Sequence, residues 1–337
     1  IITWSPLTGH VRTDTLPYAV HSAQAGCVDG QLYVLGGYGT SNEGVASVST
    51  MDLQSNAVSA ANPLPVTLYS ASYGVFDSDI VLISGYASNR YSDRIFSYDT
   101  VTQQTRSWDM RLGFVASNAA WAPGSHWLVA GGSDYQSFPP QRIVLEREDR
   151  SISSISVTRP LTYKMKYMSG VFDGEHVLLF GGTQTDDSAA DSYIMKYDVE
   201  TEQCTVSSVY IGTGRVRTAA CYDPDTGRTW VSGGQRGNTY HSTSGYFTKD
   251  PDTFTTASPM VYAKSGHGMF KIGDYIYVIG GRSGLNSFST VVERLDPISG
   301  NWNTHDSLDV GSTYYYRGNA GYAVSYTHLT LPTKRIV

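Results

Sequence analysis

The hydrophobic positions of this chain fall into short apolar runs that recur about every 50 residues. Polar stretches with turn signals such as Asp29-Gly30 separate the runs, and no helical period of 3.6 is evident. A pair of small residues follows each run: Gly36-Gly37, Ser84-Gly85, Gly131-Gly132, Gly181-Gly182, Gly233-Gly234 and Gly280-Gly281. Self-similarity at such a period is typical of repeat architectures, so the pattern predicts an all-β repeat protein.

The first unit shows the plan that each repeat follows. Residues 22–28 and Leu32 to Leu35 are two predicted strands joined by a hairpin turn. A third strand ends near Met51-Asp52, and a fourth precedes Pro63. Four short strands without an intervening helix predict one antiparallel sheet per unit, and six units are complete.

Small side chains mark the first strand of each unit, as in Ala23 to Gly26. Sheets arranged radially crowd each other near the axis, so these strands are predicted to be innermost. Third strands end in Tyr98-Asp99 and Tyr197-Asp198, and Trp108 and Trp302 follow in fourth strands. Together with the Gly-Gly pairs, these marks resemble the Kelch repeat over residues 16–312. The resemblance implies a Kelch-type β-propeller of four-stranded antiparallel blades around a central channel.

The two ends of the chain look like parts of a further blade. Residues 1–15, with Trp4, resemble the fourth strand of an incomplete closing blade, and residues 313–323 resemble a first strand. Residues 16–312 would form one propeller domain of six repeats. The whole ring is then either seven-bladed, closed by the amino-terminal strand, or six-bladed with flanking sequence. Residues 324–337 are similar to translated sequencing-adapter sequence, and we interpret them as an artefactual tail rather than a native disordered terminus.

Charge and composition exclude several classes of function. The chain has 24 basic and 30 acidic residues, a net charge of −6 and no basic run, which argues against nucleic-acid binding. No apolar run is long enough for a membrane-spanning helix. Three cysteines are not a disulfide framework, and no Asn-X-Ser/Thr acceptor occurs, so a cytoplasmic location is favoured, with a signal peptide left open. The oligomeric state is not predicted.

Candidate binding residues lie in the loops after the small-residue pairs and in the segments that enter each first strand. Both sets are expected on one face, where loops vary while the scaffold repeats. The loops hold Tyr38, Tyr86, Arg90, Tyr135, Gln235, Arg236, Tyr240, His241, Arg282 and Asn286. The entry segments hold Tyr163, Lys166, Arg215, Arg217, Tyr262, Lys264 and Arg317, in which we align Lys166, Lys264 and Arg317 in one register.

Cations and tyrosines around a channel mouth favour acidic ligands and protein interfaces. Kelch propellers that hold acidic peptide motifs use a similar ring. The chain is therefore predicted to be a protein-interaction module that binds a partner through an acidic segment. Acting as an adaptor beside a dimerisation domain is a further analogy at the level of the family.

An enzyme is the alternative function. Galactose-oxidase-like copper enzymes and carbohydrate-active enzymes share this repeat, and Tyr240-His241 resembles one adjacent pair of copper ligands. However, no second well-placed histidine, zinc-ligand spacing or phosphate-binding loop is evident. The sequence thus predicts no metal and no cofactor, and favours a binding protein over a catalyst.

Overall fold

The computed structural model describes residues 2–4, 11–13, 15–109 without 42, 89 and 93, 116–122, 126–131, 141–148, 151–158, and 166–308 without 186, 202 and 286. Side chains are described only within 15–109 and 166–308. Apart from one 3-10 turn at Asp187–Ala189, the regular elements of these residues are strands. No helix in this part of the chain is long and apolar enough to cross a membrane.

Five four-stranded antiparallel sheets form blades, which we name A to E in chain order. In each blade, the first strand is hydrogen-bonded to the second, the second to the third and the third to the fourth. The strands are Gln24–Val28, Gln31–Leu35, Val48–Asp52 and Val58–Ala61 in blade A; Ser72–Phe76, Asp79–Ile83, Arg94–Asp99 and Gln104–Asp109 in blade B; Ser169–Phe172, His176–Phe180, Tyr193–Asp198 and Cys204–Tyr210 in blade C; Ala219–Asp223, Arg228–Ser232, Ser244–Thr248 and Thr253–Ala257 in blade D; and Gly268–Ile272, Tyr275–Ile279, Val291–Asp296 and Asn301–Ser307 in blade E.

Further strands lie outside these blades. Between blades B and C, four strands pair in the same order, and we call them the intervening sheet: Ala116–Ala122, His126–Gly131, Gln141–Glu148 and Ser151–Thr158. Near the amino terminus, Ile2–Trp4 pairs with Val11–Thr13. Short strands also form small sheets next to the blades. In the first two of these, Val20–His21 pairs with Tyr38–Gly39, and Tyr86–Ala87 pairs with both Leu68–Tyr69 and Arg90–Tyr91. In the other two, Gln235–Arg236 pairs with Thr239–Tyr240, and Arg282–Gly284 pairs with Ser287–Phe288.

The structure confirms the predicted class, an all-β propeller of four-stranded antiparallel blades. Five blades are shown, whereas the sequence predicted six complete units, and the number six stays a prediction. The difference lies between 110 and 165, where only the backbone pairing of the intervening sheet is described. The predicted closing blade and artefactual tail fall largely outside the described residues, so the domain boundaries stay predictions.

Three of the described hydrophobic clusters join adjacent blades, and two others lie within blade C and blade E. Leu35 and Val48 of blade A pack in one cluster with Ile80 and Phe96 of blade B. Trp230 of blade D is fully buried in a cluster that includes residues of blade E. Crowding near the axis matches the expectation for innermost strands, since a Cβ on Gly26 would lie 3.0 Å from a methyl carbon of Val75 in the next blade. Apolar burial between neighbouring blades therefore contributes to the stability of the propeller.

In blades A, C and D, the Gly-Gly pair holds the entry segment of the blade that comes next in the chain. Gly182 donates its N–H to the carbonyl oxygen of Arg215 at 2.9 Å. A Cβ on Gly181 would overlap that same oxygen, and its φ of +67° is in the left-handed region. The arrangement recurs when Gly37 donates to Leu68 at 2.8 Å and Gly234 donates to Lys264 at 2.9 Å. Glycine is needed because the carbonyl of the next blade occupies the place of a side chain.

The recurring aspartate closes the turn between the third and fourth strands. Oδ1 of Asp198 accepts the N–H groups of Glu200 and Thr201, both at 2.9 Å. Oδ1 of Asp296 accepts the N–H of Ile298 at 2.9 Å in the same way. The backbone donor of Thr201 is the main reason that the pKa of Asp198 is lowered. This mark of the repeat is thus structural.

Candidate functional site

The entrance to the innermost strands is a ring of residues with left-handed backbone, which we call the entry ring. Its members Ser22, Ser70, Tyr167, Arg217 and Gly266 have φ between 53° and 60°. The N–H of Ser70 donates to Ser22 at 2.9 Å, that of Arg217 to Tyr167 at 2.9 Å, and that of Gly266 to Arg217 at 2.8 Å. Non-glycine residues in this region are strained, and such residues cluster at functional sites.

The residue before each ring member faces the first residue after the glycine pair of its own blade. Lys166 is bridged to Thr183, and Ser265 is bridged to Arg282. Lys264 lies one position earlier, where its carbonyl accepts the N–H of a doublet glycine, as that of Arg215 does. The predicted alignment of Lys166 with Lys264 is therefore wrong by one residue. Successive side chains of an extended segment point to opposite sides. Aligning the two segments by their lysines therefore placed in one register two side chains that point to opposite sides.

Three of the predicted cations are buried inside the propeller, namely Lys166, Arg215 and Lys264. Arg215 is 1% exposed and donates to the backbone oxygens of Thr243 at 3.1 Å and Ile211 at 3.4 Å. Burial lowers the pKa of Arg215 to about 10. Nζ of Lys264 lies 2.9 Å from Oε1 of Glu293, and both side chains are fully buried. Arg215 and Lys264 thus do not reach solvent in this structure.

Arg217 is the cation that the entry ring holds at the mouth. Its side chain is half-buried, and its guanidinium carbon lies 3.9 Å from the centre of the Tyr167 ring. Nζ of Lys166 lies 5.4 Å from the same ring, although Lys166 itself is buried. Stacking on an aromatic face fixes the plane of a guanidinium and so the directions of its N–H donors. Tyr167 was not predicted from the sequence; its place before the innermost strand could have indicated it.

The loops of blades D and E add polar groups beside Arg217. Oε1 of Gln235 accepts the hydroxyl of Ser265 at 2.8 Å, so this contact joins the two blades. Arg282 is half-buried, donates to the carbonyl of Leu285, and lies 5.8 Å from the Phe288 ring. The structure thus brings Arg217, Gln235 and Arg282 to one sector of the mouth.

Arg236 lies in a separate open pocket at the outer edge of blade C. The pocket has a volume of about 640 Å³ and is also lined by Asp191, Tyr193 and Tyr210. Nε of Arg236 donates to the carbonyl of Ser188 at 3.1 Å. Burial raises the pKa of Asp191, although Gln184 and the charge of Arg236 oppose the shift. The sequence did not single out Tyr193 or Tyr210 for this position.

A stack of three tyrosines occupies the mouth at blades A and B. The rings of Tyr69 and Tyr86 are parallel within 5°, with centroids 5.0 Å apart. Tyr38 meets Tyr69 edge-on, also at 5.0 Å. Tyr38 and Tyr86 were predicted site residues, whereas Tyr69 between them was missed because nothing in its local sequence marks it.

The remaining predicted residues are dispersed. Arg90 is exposed, Tyr262 is 47% exposed, and Tyr240 and His241 are half-buried. Burial is the main reason that the pKa of His241 is lowered, with Arg215 and Arg236 adding to the shift. No group of three or more His, Cys, Asp or Glu that could hold a metal is found within the described part of the chain, and the enzyme alternatives stay predictions. Four predicted residues lie outside the described residues: Tyr135, Tyr163, Asn286 and Arg317.

These features define a β-propeller whose loop-bearing face combines an arginine sector with a tyrosine sector. The family model described as the Kelch motif matches residues 263–304, which cover the entry segment and most of blade E. This match, over one of the repeats, and the blade arrangement support a Kelch-repeat propeller. No curated protein matches the sequence.

Proposed function

We propose that this propeller binds a protein partner through an acidic segment at the loop-bearing face around the channel. The observation that carries the proposal is the Arg217–Tyr167 stack at 3.9 Å, on a ring whose backbone is tied from blade to blade. A cation held in place before binding loses little entropy when it meets a carboxylate. Arg282 and Gln235 supply a second cation and an amide in the same sector.

The burial of Lys264 and Arg215 narrows the set of residues that would contact the partner. Replacing Lys264 would leave Glu293 as an unpaired buried charge, so a loss of binding in that variant would report on folding. The contact residues are therefore proposed to be Arg217, Arg282 and Gln235, while Arg215 and Lys264 support them from inside.

Fluorescence anisotropy with two labelled dodecapeptides, one rich in glutamate and one with glutamine in its place, tests the proposal. The acidic peptide should bind, and its affinity should fall as salt screens the charges. Arg217→Gln should weaken binding at least about tenfold, the effect of losing one charge-assisted hydrogen bond.

Arg228→Gln is the matched control. Its guanidinium also lies over a ring, that of Tyr246 at 4.3 Å, but Arg228 begins the second strand of blade D at the end opposite the glycine pair. This variant should bind like the wild type. Equal binding of the acidic and the neutral peptide, or equal losses in both variants, would contradict the proposed function.

We also propose that the intervening sheet is a sixth blade. Its strands pair in the same order as those of the five blades, and its first strand contacts the first strands of blades B and C. A crystal structure of the chain, supported by solution X-ray scattering, would test this count. Failure to find four paired strands between blades B and C would refute it.

A further inference from the structure

The mouth has two chemically different sectors at equivalent positions. The first residue after the glycine pair is Tyr38 in blade A and Tyr86 in blade B, but Gln235 in blade D and Arg282 in blade E. The ring members are Ser22 and Ser70 in blades A and B, but Tyr167 and Arg217 where blades C and D begin. One side of the mouth thus presents aromatic faces, and the other presents cations. An acidic ligand would need only the cations, so the aromatic side has no role in binding such a ligand.

The tyrosine sector is built as a fixed platform. Tyr69 lies between Tyr38 and Tyr86, and its backbone pairs with that of Tyr86. Behind it, a Cβ on Gly44 would lie 3.1 Å from Cδ1 of Tyr69, so the loop of blade A packs closely on this ring. All three tyrosines are half-buried, which leaves part of the stack accessible. Rigid rings lose little freedom on binding and offer a large contact area.

Aromatic platforms of this kind suit an extended, proline-containing chain. A polyproline II segment has a fixed φ and no internal hydrogen bonds, so it docks on aromatic side chains at low entropic cost. At the positions equivalent to Arg282 and Arg217, the tyrosine sector has Tyr38, Tyr86, Ser22 and Ser70 instead of cations. The exposed Arg90, whose backbone pairs with that of Ala87, is a cation beside this sector.

We infer, resting on the proposed function, that the partner segment is bipartite: prolines lie on the Tyr38–Tyr69–Tyr86 stack, and acidic residues reach Arg217 and Arg282. The channel mouth sets the number of residues between the two parts. Neither half alone would use both sectors, so a peptide with both features at one fixed spacing should bind more tightly than either.

Selection from a random dodecapeptide phage library tests this inference with the full chain as bait. Wild-type protein should enrich sequences that contain both proline and Asp or Glu at a constant spacing. Tyr86→Leu keeps an apolar side chain but removes the ring, so it should lose the proline enrichment and keep the acidic one. Arg217→Gln should do the reverse, and Arg228→Gln should select like the wild type.

The outcomes separate this inference from the function on which it rests. Enrichment of acidic residues without proline would overturn the bipartite ligand and leave the acidic-segment function standing. Enrichment of neither, or of proline alone, would overturn both. If Tyr86→Leu does not fold, as judged by circular dichroism, Gly44→Ala provides the second test. Its Cβ would lie 3.1 Å from Cδ1 of Tyr69, so the ring must shift slightly, and the affinity of the best selected peptide should fall. An unchanged affinity in Gly44→Ala and Tyr38→Leu would overturn the role of the stack.

Discussion

Replacing Gly181 by alanine tests whether the glycine pairs join adjacent blades. An alanine at φ +67° would cost about 1–2 kcal/mol from its left-handed backbone alone. Its Cβ would also overlap the carbonyl oxygen of Arg215, which belongs to the entry segment of blade D. The segment must then move away, and the 2.9 Å bond from Gly182 to that oxygen would be strained or lost.

The structure allows the second effect to be separated from the first. Gly227 has a nearly identical φ of +66°, yet nothing lies within 4 Å of a Cβ built on it. Gly227→Ala should therefore lower the free energy of unfolding by the backbone cost alone, about 1–2 kcal/mol. Gly181→Ala adds about 1–3 kcal/mol for overpacking and about 1 kcal/mol for the hydrogen bond. The expected difference between the two variants is at least about 2 kcal/mol.

Urea unfolding followed by tryptophan fluorescence and by far-UV circular dichroism measures this difference. Trp230 is buried in blade D and reports on the neighbour that should loosen. Agreement of the two probes supports comparing the variants by linear extrapolation. Equal destabilisation in Gly181→Ala and Gly227→Ala would refute the inter-blade role and leave only the backbone requirement.

Three further predictions concern buried polar groups. Burial is the main reason that the pKa of His267 falls to about 3, so only the unfolded state gains a proton between pH 6.5 and 3. Stability should fall on acidification there by up to about 1.4 kcal/mol per pH unit, and urea midpoints at pH 4.5 and 6.5 should show a shallower fall for His267→Gln. Burial raises the pKa of Cys221 to about 12. At pH 8, iodoacetamide should therefore alkylate Cys221 about 10³-fold more slowly in the native protein than in the unfolded protein. Native and unfolded rates within tenfold of each other would contradict the burial of this thiol. Lys264→Met should lower the free energy of unfolding, measured in urea, by about 3–5 kcal/mol because it leaves the Glu293 charge without its counter-ion. Adding Glu293→Leu should restore most of this stability. If it restores none, the loss of the ion pair does not explain the destabilisation.

The sequence predicted the scaffold well because its marks are local. Asp198 closes a turn with residues two and three positions later, and Gly181 has a left-handed φ, so one repeat is enough to indicate both. The partner of Gly181 could not be predicted in the same way, because Arg215 lies in the next repeat. Trp302 is similar: its Nε1 donates to Ser244 of blade D at 2.9 Å, a contact between blades.

The candidate site was predicted less completely, because side-chain direction depends on register. Arg217 and Lys264 look alike as cations near the start of a strand, yet one stacks at the mouth and the other meets Glu293 in the interior. Arg217 is a member of the entry ring, whereas Lys264 lies two residues before the member Gly266, and composition carries no information about this register. Tyr69 was missed because its importance arises from two other tyrosines, one of them in the preceding blade.

The direction of the glycine contacts has a consequence for synthesis on the ribosome. In blades A, C and D, the glycine pair binds a carbonyl that is translated after the blade's own four strands. A nascent blade can pair its strands as it emerges, but its second strand gains this contact only when the following entry segment has left the exit tunnel. The contacts between blades would therefore form in order from the amino terminus, because each of these blades gains its glycine contact only after the next entry segment has been synthesised.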